Sequence, residues 1–202
     1  QLELLRRSVS LLGDSAEGHS LAIEVLTRVV RLDPLDTGAA FSLHDRLIAT
    51  GKPREGAKVL EQVLLRDPAP IGDEAKALHS RLVELFVDAL REPHRSVPHL
   101  EALLAENPTD ERARTIAEGL LENRAVAARV ASMVSDAYER LGWLERAAEM
   151  LGMELKLVRG PRRMEAQRRL AFIRQDVLGD PSGALELLSP VCSAVPGDGE
   201  GR

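Results

Sequence analysis

The chain has 202 residues, 44% of them apolar and 29% charged, with a net charge of −5 and a pI near 5.6. This composition excludes a disordered segment, and the acidic balance argues against a general nucleic-acid binder, whose affinity comes from Lys and Arg neutralising phosphates. Only 2% of residues are aromatic, so the interior has to be built from Leu, Val, Ala, Ile and Met, which suits helix faces rather than sheets.

In chain order, Leu21, Val25, Leu26, Val29 and Val30 recur at helical spacing, as do Val59, Leu60, Val63 and Leu64, and then Leu100, Leu103 and Leu104. The stretches around these runs end at Asp33-Pro34, Asp67-Pro68 and Asn107-Pro108, and a last one ends at Val195-Pro196, because proline cannot continue a helix and disfavours one in the residue before it. Shorter breaks lie between: Gly13-Asp14, Thr50-Gly51, Arg91-Glu92-Pro93, Leu141-Gly142 and Leu178-Gly179-Asp180. The alternation predicts helices near 1–12, 16–32, 37–50, 53–66, 72–91, 95–106, 110–122, 125–141, 143–158, 163–178 and 181–194, with no alternating strand pattern. The expected class is all-α, and helices this short need a neighbour to cover their apolar faces.

Pro34 and Pro68 stand 34 residues apart, and residues 37–70 place Ala40, Leu43, His44, Leu47, Gly51, Gly56, Leu60, Val63 and Pro68 in a recurring order. Residues 128–161 repeat it with Ala131, Val134, Ser135, Tyr138, Gly142, Ala147 and Leu151, but put Glu154 and Arg159 where a packing residue and Pro are usual. Residues 165–198 give Ala171, Gly179, Ala184, Leu188, Val191 and Pro196, with Phe172 where a small residue is usual. The pattern resembles the tetratricopeptide repeat. Weaker units span about 1–34 and 77–110, the latter with Arg91 at its turn, and the helix near 110–122 is additional to the array. The resemblance implies an α-solenoid of antiparallel helix pairs in a right-handed superhelix, and a HEAT-like or other irregular helical repeat is its rival. The start at Gln1 and the resemblance of Val195-Pro196-Gly197-Asp198 to an inter-repeat link suggest a piece of a longer repeat protein, so the lack of a signal peptide says nothing of compartment, a cytoplasmic one being weakly favoured.

Strings that imitate catalytic motifs fail on context. Gly13-Asp14-Ser15 is not preceded by a strand and reads as a helix N-cap. Gly51-Lys52 lacks the rest of a phosphate loop and runs into Pro53, a first-turn residue. His94 and His99 flank Pro98 and would need a third ligand to hold a metal, so they read as solvated loop side chains. Acidic pairs such as Asp73-Glu74 and Asp110-Glu111 complement helix dipoles. Cys192 is the sole cysteine and reads as a small apolar residue, with no disulfide and no multi-cysteine metal site open to it. No apolar run reaches the roughly 18–20 residues of a membrane span. The expectation is a non-enzymatic protein, without cofactor or metal.

In the family it resembles, first helices of successive pairs line a groove for peptides of partner proteins. By position, the resemblance puts on that wall Phe41, Asp45 and Ile48, then Arg81, Leu85 and Asp88, then Arg129, Ser132, Asp136 and Glu139, then Arg169, Ile173 and Asp176. The clamp for acidic C-termini found in some members needs Asn in these helices, and here Asn occurs only at Asn107 and Asn123. A basic patch of Arg159, Arg162, Arg163 and Arg168, continued by Arg169, is a second candidate for an acidic or phosphate-bearing partner. The expected function is a protein-interaction or scaffolding module, with self-association possible through uncapped ends. The alternatives are a helical support of a larger enzyme or signalling protein, and a nucleic-acid or ligand sensor using the arginines.

Overall fold

Every regular element in the computed structural model, which describes residues 2–12 and 15–194, is helical. The helices are α1 (Leu2–Leu11), α2 (Ala16–Leu32), α3 (Thr37–Ala49), α4 (Pro53–Leu64), α5 (Gly72–Glu84), α6 (Pro93–Glu106), α7 (Glu111–Gly119), α8 (Ala127–Arg140), α9 (Leu144–Leu157), α10 (Gly160–Asp176) and α11 (Pro181–Ala194). A π-helical turn, Leu85–Ala89, extends α5, and a 3-10 turn, Leu120–Glu122, extends α7. The chain divides into two compact units, residues 1–99 and 100–202. Asp14 and the link from Val195 onward lie outside the described residues, as does the side chain of Cys192.

Local chemistry sets the helix ends. Ser15 Oγ accepts from the Gly18 N–H at 3.0 Å, so the cap read at Gly13-Asp14-Ser15 is the serine. Asp36 and Asp110 cap α3 and α7 in the same way, at 2.9 and 3.0 Å. Proline opens α4, α6 and α11, where its missing N–H has no helical partner to lose.

Among the described residues, the turns that follow α3, the helix ending near Ala89, α8 and α10 each hold a left-handed residue. Gly51, Gly142 and Gly179 supply it with φ of 73°, 72° and 62°. Arg91 occupies the same place at φ 55°, a conformation its Cβ opposes. The helix before Arg91 also carries one residue more than those before Gly51 and Gly142. Buried Leu47 and Tyr138 lie four residues before Gly51 and Gly142, whereas buried Phe86 lies five before Arg91. The π turn at Leu85–Ala89 takes up that extra residue, so α6 still starts in step; a continuous helix over 72–91 is thereby corrected. Arg91→Gly is expected to raise stability by about 0.5–1 kcal/mol in urea denaturation, since only the strain of the left-handed arginine is removed. A loss of stability would show that the arginine side chain holds the turn by contacts of its own.

In unit 1, α1 packs on α2, α2 on α3, α3 on α4 and α4 on α5. Leu26, Val29, Ala39, Leu43 and Leu47 form one apolar cluster, and Ala40, Ala57, Leu60, Val63, Leu78, Leu82, Leu85 and Phe86 another. In unit 2, α7 packs on α8, α8 on α9, α9 on α10 and α10 on α11. Tyr138 and Ala147 are both buried on the paired helices α8 and α9. The small residues Gly56, Ser96, Ala147 and Ala184 hold one place in the second helix of each hairpin, and all are buried. At Gly56 a methyl group would stand 3.2 Å from His44 Nδ1 and from Ile48 Cδ1, so backbone approach there leaves no slack. These are tetratricopeptide-like hairpins.

Candidate functional site

Unit 2 carries an open groove of about 710 Å³, walled by α8 and α10 with contributions from the end of α6 and from α9. Arg129, Ser132 and Asp136 recur along one face of α8, and Arg162, Glu165 and Arg169 along one face of α10, at spacings of three and four residues. The polar side chains are mostly tied to one another. Arg129 makes a bidentate pair with Glu101, Nε to Oε1 at 2.6 Å and Nη2 to Oε2 at 2.5 Å. Arg140 donates to the Leu104 and Ala105 carbonyls at 3.0 and 2.6 Å. Arg169 Nη2 reaches Asp136 Oδ1 at 2.5 Å, Glu139 Oε1 at 2.8 Å and Ser135 Oγ at 3.2 Å. Arg169 is itself half-buried, which sharpens these charge-assisted bonds.

Glu154, on α9, lies in this groove with only 4% of its surface exposed, and its Oε2 has no hydrogen-bond partner. Burial pushes its carboxyl above the usual carboxylate range; Arg169, Ser132 and Arg162 oppose that rise and Asp136 adds to it. The sequence signal for it was a charged residue at a packing position.

In unit 1, Arg81 bonds Asp45 at 2.5 Å and lies over the Phe41 ring, 4.5 Å from its centroid. Asp45, Ile48, Arg81, Leu85 and Asp88 share a shallower cavity of about 690 Å³ with His44, Ala49 and Glu84. Asp45, Arg81 and Asp88 thus share one cavity in unit 1, with Phe41 under Arg81, whereas in unit 2 Arg129, Asp136 and Arg169 line the groove and Glu139, though bonded to Arg169, lines a separate cavity. Asp176 is exposed at the last residue of α10, and Ile173 is buried.

The arginines of the basic cluster face different ways. Arg159 donates to its neighbour Val158 O at 3.3 Å, and Arg163 turns back to the Leu155 carbonyl. Arg162 lines the groove, while Arg168 lines a separate cavity of about 450 Å³ with Leu144, Phe172 and Glu139. Phe172, at the place where a small residue is usual, points outward and is 64% exposed.

The histidines differ from the sequence expectation. His94 is exposed, but His99 is stacked on Phe86 with ring centroids 5.9 Å apart, and its Nδ1 lies 2.9 Å from Nδ1 of His79. Burial first, then the neighbouring His79 and Arg95, pull His99 down to about 4, so it stays neutral and serves the core. Among the described residues no group of three or more His, Cys, Asp or Glu could hold a metal ion, and no helix is long and apolar enough to cross a membrane.

The fold and groove define an all-α protein of helical hairpins whose charged side chains line an open face. No family model matches the sequence, and no curated protein does. Among solved structures, the chain is similar to MamA 41-end from Desulfovibrio magneticus RS-1, at 15% identity over 98% of this chain and 97% of that one, with a TM-score of 0.45. A MamA RS-1 double mutant gives 18% identity over 95% and 97%, with a TM-score of 0.43. A Podosopora anserina structure, described in its own name as TPR-like repeats of a kinesin light chain, gives 22% over 95% and 91%, with a TM-score of 0.39. The hairpin architecture rests on the helices, turns and buried small residues described above.

Proposed function

We propose that this chain is a non-enzymatic protein-interaction module that takes a segment of a partner protein in the unit 2 groove. The observation that carries the reading is the groove itself: about 710 Å³, open, and lined by side chains already locked in ion pairs and carbonyl bonds. Such side chains lose little freedom when a ligand arrives, so their contacts are not offset by ordering. The volume lies in the range of sites that hold drug-sized ligands or short stretches of chain. In unit 1, the Phe41, Asp45, Arg81 and Asp88 face is the corresponding surface.

A photo-crosslinking residue at Ser132, inside the groove, tests this against one at exposed Glu149 on α9. In native extract the Ser132 position is expected to give discrete protein adducts and the Glu149 position none. Equal labelling from both positions, or none from either, would count against the groove.

A further inference from the structure

In unit 1 a trough of about 520 Å³ lies between α2 and α4, with Leu43 and Leu47 of α3 beneath it. Ile23, Thr27 and Val30 recur along α2, and Glu55, Val59 and Gln62 along α4, at intervals of three and four residues, so each wall is one helical ridge. Ile23, Val30 and Val59 are only partly buried, packed on the edge of a core cluster. Arg66 donates to the Pro34 and Leu35 carbonyls at 3.4 and 3.2 Å, which brings the C-terminal ends of α2 and α4 together. Arg31 stands at that end. Glu55 stands at the other, eleven residues before Arg66 and so about 16 Å away along α4. Both are exposed, and neither forms a hydrogen bond or ion pair with any described residue, whereas Arg66 is spent on Glu74, Thr37 and the two carbonyls.

An apolar trough with an unpaired charge of opposite sign at each end restricts what can cover it. Thr27 donates to the Ile23 carbonyl of its own helix at 2.6 Å, which leaves few groups to meet a peptide backbone. An extended segment would lay its N–H and C=O groups against apolar side chains, whereas a helix satisfies them within itself. The geometry points to an amphipathic helix of a partner protein, about three turns long, with its apolar stripe in the trough, an acidic N-terminal turn at Arg31 and a basic C-terminal turn at Glu55. That polarity sets the helix antiparallel to α2 and α4, and it puts acid and base where the partner helix's own dipole favours them. The trough shares no lining residue with the unit 2 groove, so this inference stands apart from the reading given to that groove.

The test measures binding of the whole chain to labelled, end-blocked tetradecapeptides by fluorescence anisotropy. All carry Leu at helical spacing on an Ala and Gln background. One has Glu in its first turn and Lys in its last, a second has the two exchanged, and a third is the first with a central Pro. The Glu-first peptide is expected to bind at least about fivefold tighter than the exchanged one, the scale of two exposed charge pairs gained against two like-charge contacts. The exchanged peptide is also the poorer helix, so the deciding arm is the protein carrying Arg31→Glu and Glu55→Arg together, in which the preference is expected to shift toward the exchanged peptide by at least about fivefold. Thr27→Arg puts a long charged side chain into the trough from an exposed position and is expected to weaken both helical peptides at least about tenfold with helical circular dichroism unchanged. A preference that the double variant leaves unmoved overturns the inference. A Pro peptide that binds as tightly as its parent overturns it in favour of an extended segment. Light scattering that shows the parent chain pairing with itself, and the Thr27→Arg variant not, overturns it in favour of a second copy. Binding of none of the peptides overturns it outright.

Discussion

Phe86→Ala is expected to destabilise unit 1 by about 3–5 kcal/mol, the range for truncating a buried aromatic side chain. Phe86 is fully buried, and it is packed into the cluster of Leu60, Leu78, Leu82 and Leu85. One face stacks on His99, and the Arg95 guanidinium lies 4.3 Å from its ring centroid. Alanine would lose the apolar transfer and leave a cavity under two polar groups that the ring now covers. The π turn at Leu85–Ala89 fixes the backbone at this point, so collapse around the cavity is restricted. Urea denaturation read by helical circular dichroism checks the magnitude, and a loss under about 1 kcal/mol would contradict the packing described. An independent consequence is that His99, freed from desolvation, should titrate well above the value of about 4 it has now, which NMR of the imidazole would follow.

Glu154→Met is expected to stabilise the protein at pH 7 by about 1–3 kcal/mol, the range for an unsatisfied buried polar group. The substitution puts an apolar residue back at a packing position and removes a carboxylate oxygen with no partner. The effect should depend on pH. An acid whose carboxyl is raised in the folded state penalises folding when ionised. The penalty is complete above the folded value and is relieved as the pH falls through it toward the ordinary glutamate value of 4.5. The groups that face Glu154 are Arg169, Ser132, Asp136 and Arg162, and of these Asp136 acts with burial while the others oppose it. The stability gap between the Glu154→Met variant and its parent should accordingly narrow on acidification, as thermal melts from about pH 7 to about pH 4.5 would show. A gap that widens, or a variant less stable than the parent at pH 7, would mean that Glu154 is satisfied in solution.

Helix positions were legible from sequence because apolar periodicity, proline and glycine act locally. The predicted segments correspond one to one with α1 to α11 among the described residues, mostly to within a residue or two at their ends. The π turn was not legible: an added residue between Leu82 and Arg91 changes no local preference, and only the need to bury Phe86 and still start α6 at Pro93 reveals it. The basic cluster looked like one patch because its members are close in the chain. A helix turns about 100° per residue, so Arg162 and Arg169, seven apart, share a face while Arg168 leaves it.

The groove divides in the same way. Arg129, Asp136 and Arg169 were placed on the groove wall by the resemblance, and they line it; Glu139, placed there with them, lines the separate cavity beside Phe172 instead. Glu101, Arg140 and the unsatisfied state of Glu154 were not legible, because each depends on a helix distant in the chain. Composition and periodicity by themselves determined an all-α chain of paired helices, since they set which faces must leave water. Tertiary structure alone decided which charges are spent on one another and which carboxylate is left wanting a partner, because ion pairing and desolvation depend on distances between helices that no local pattern encodes.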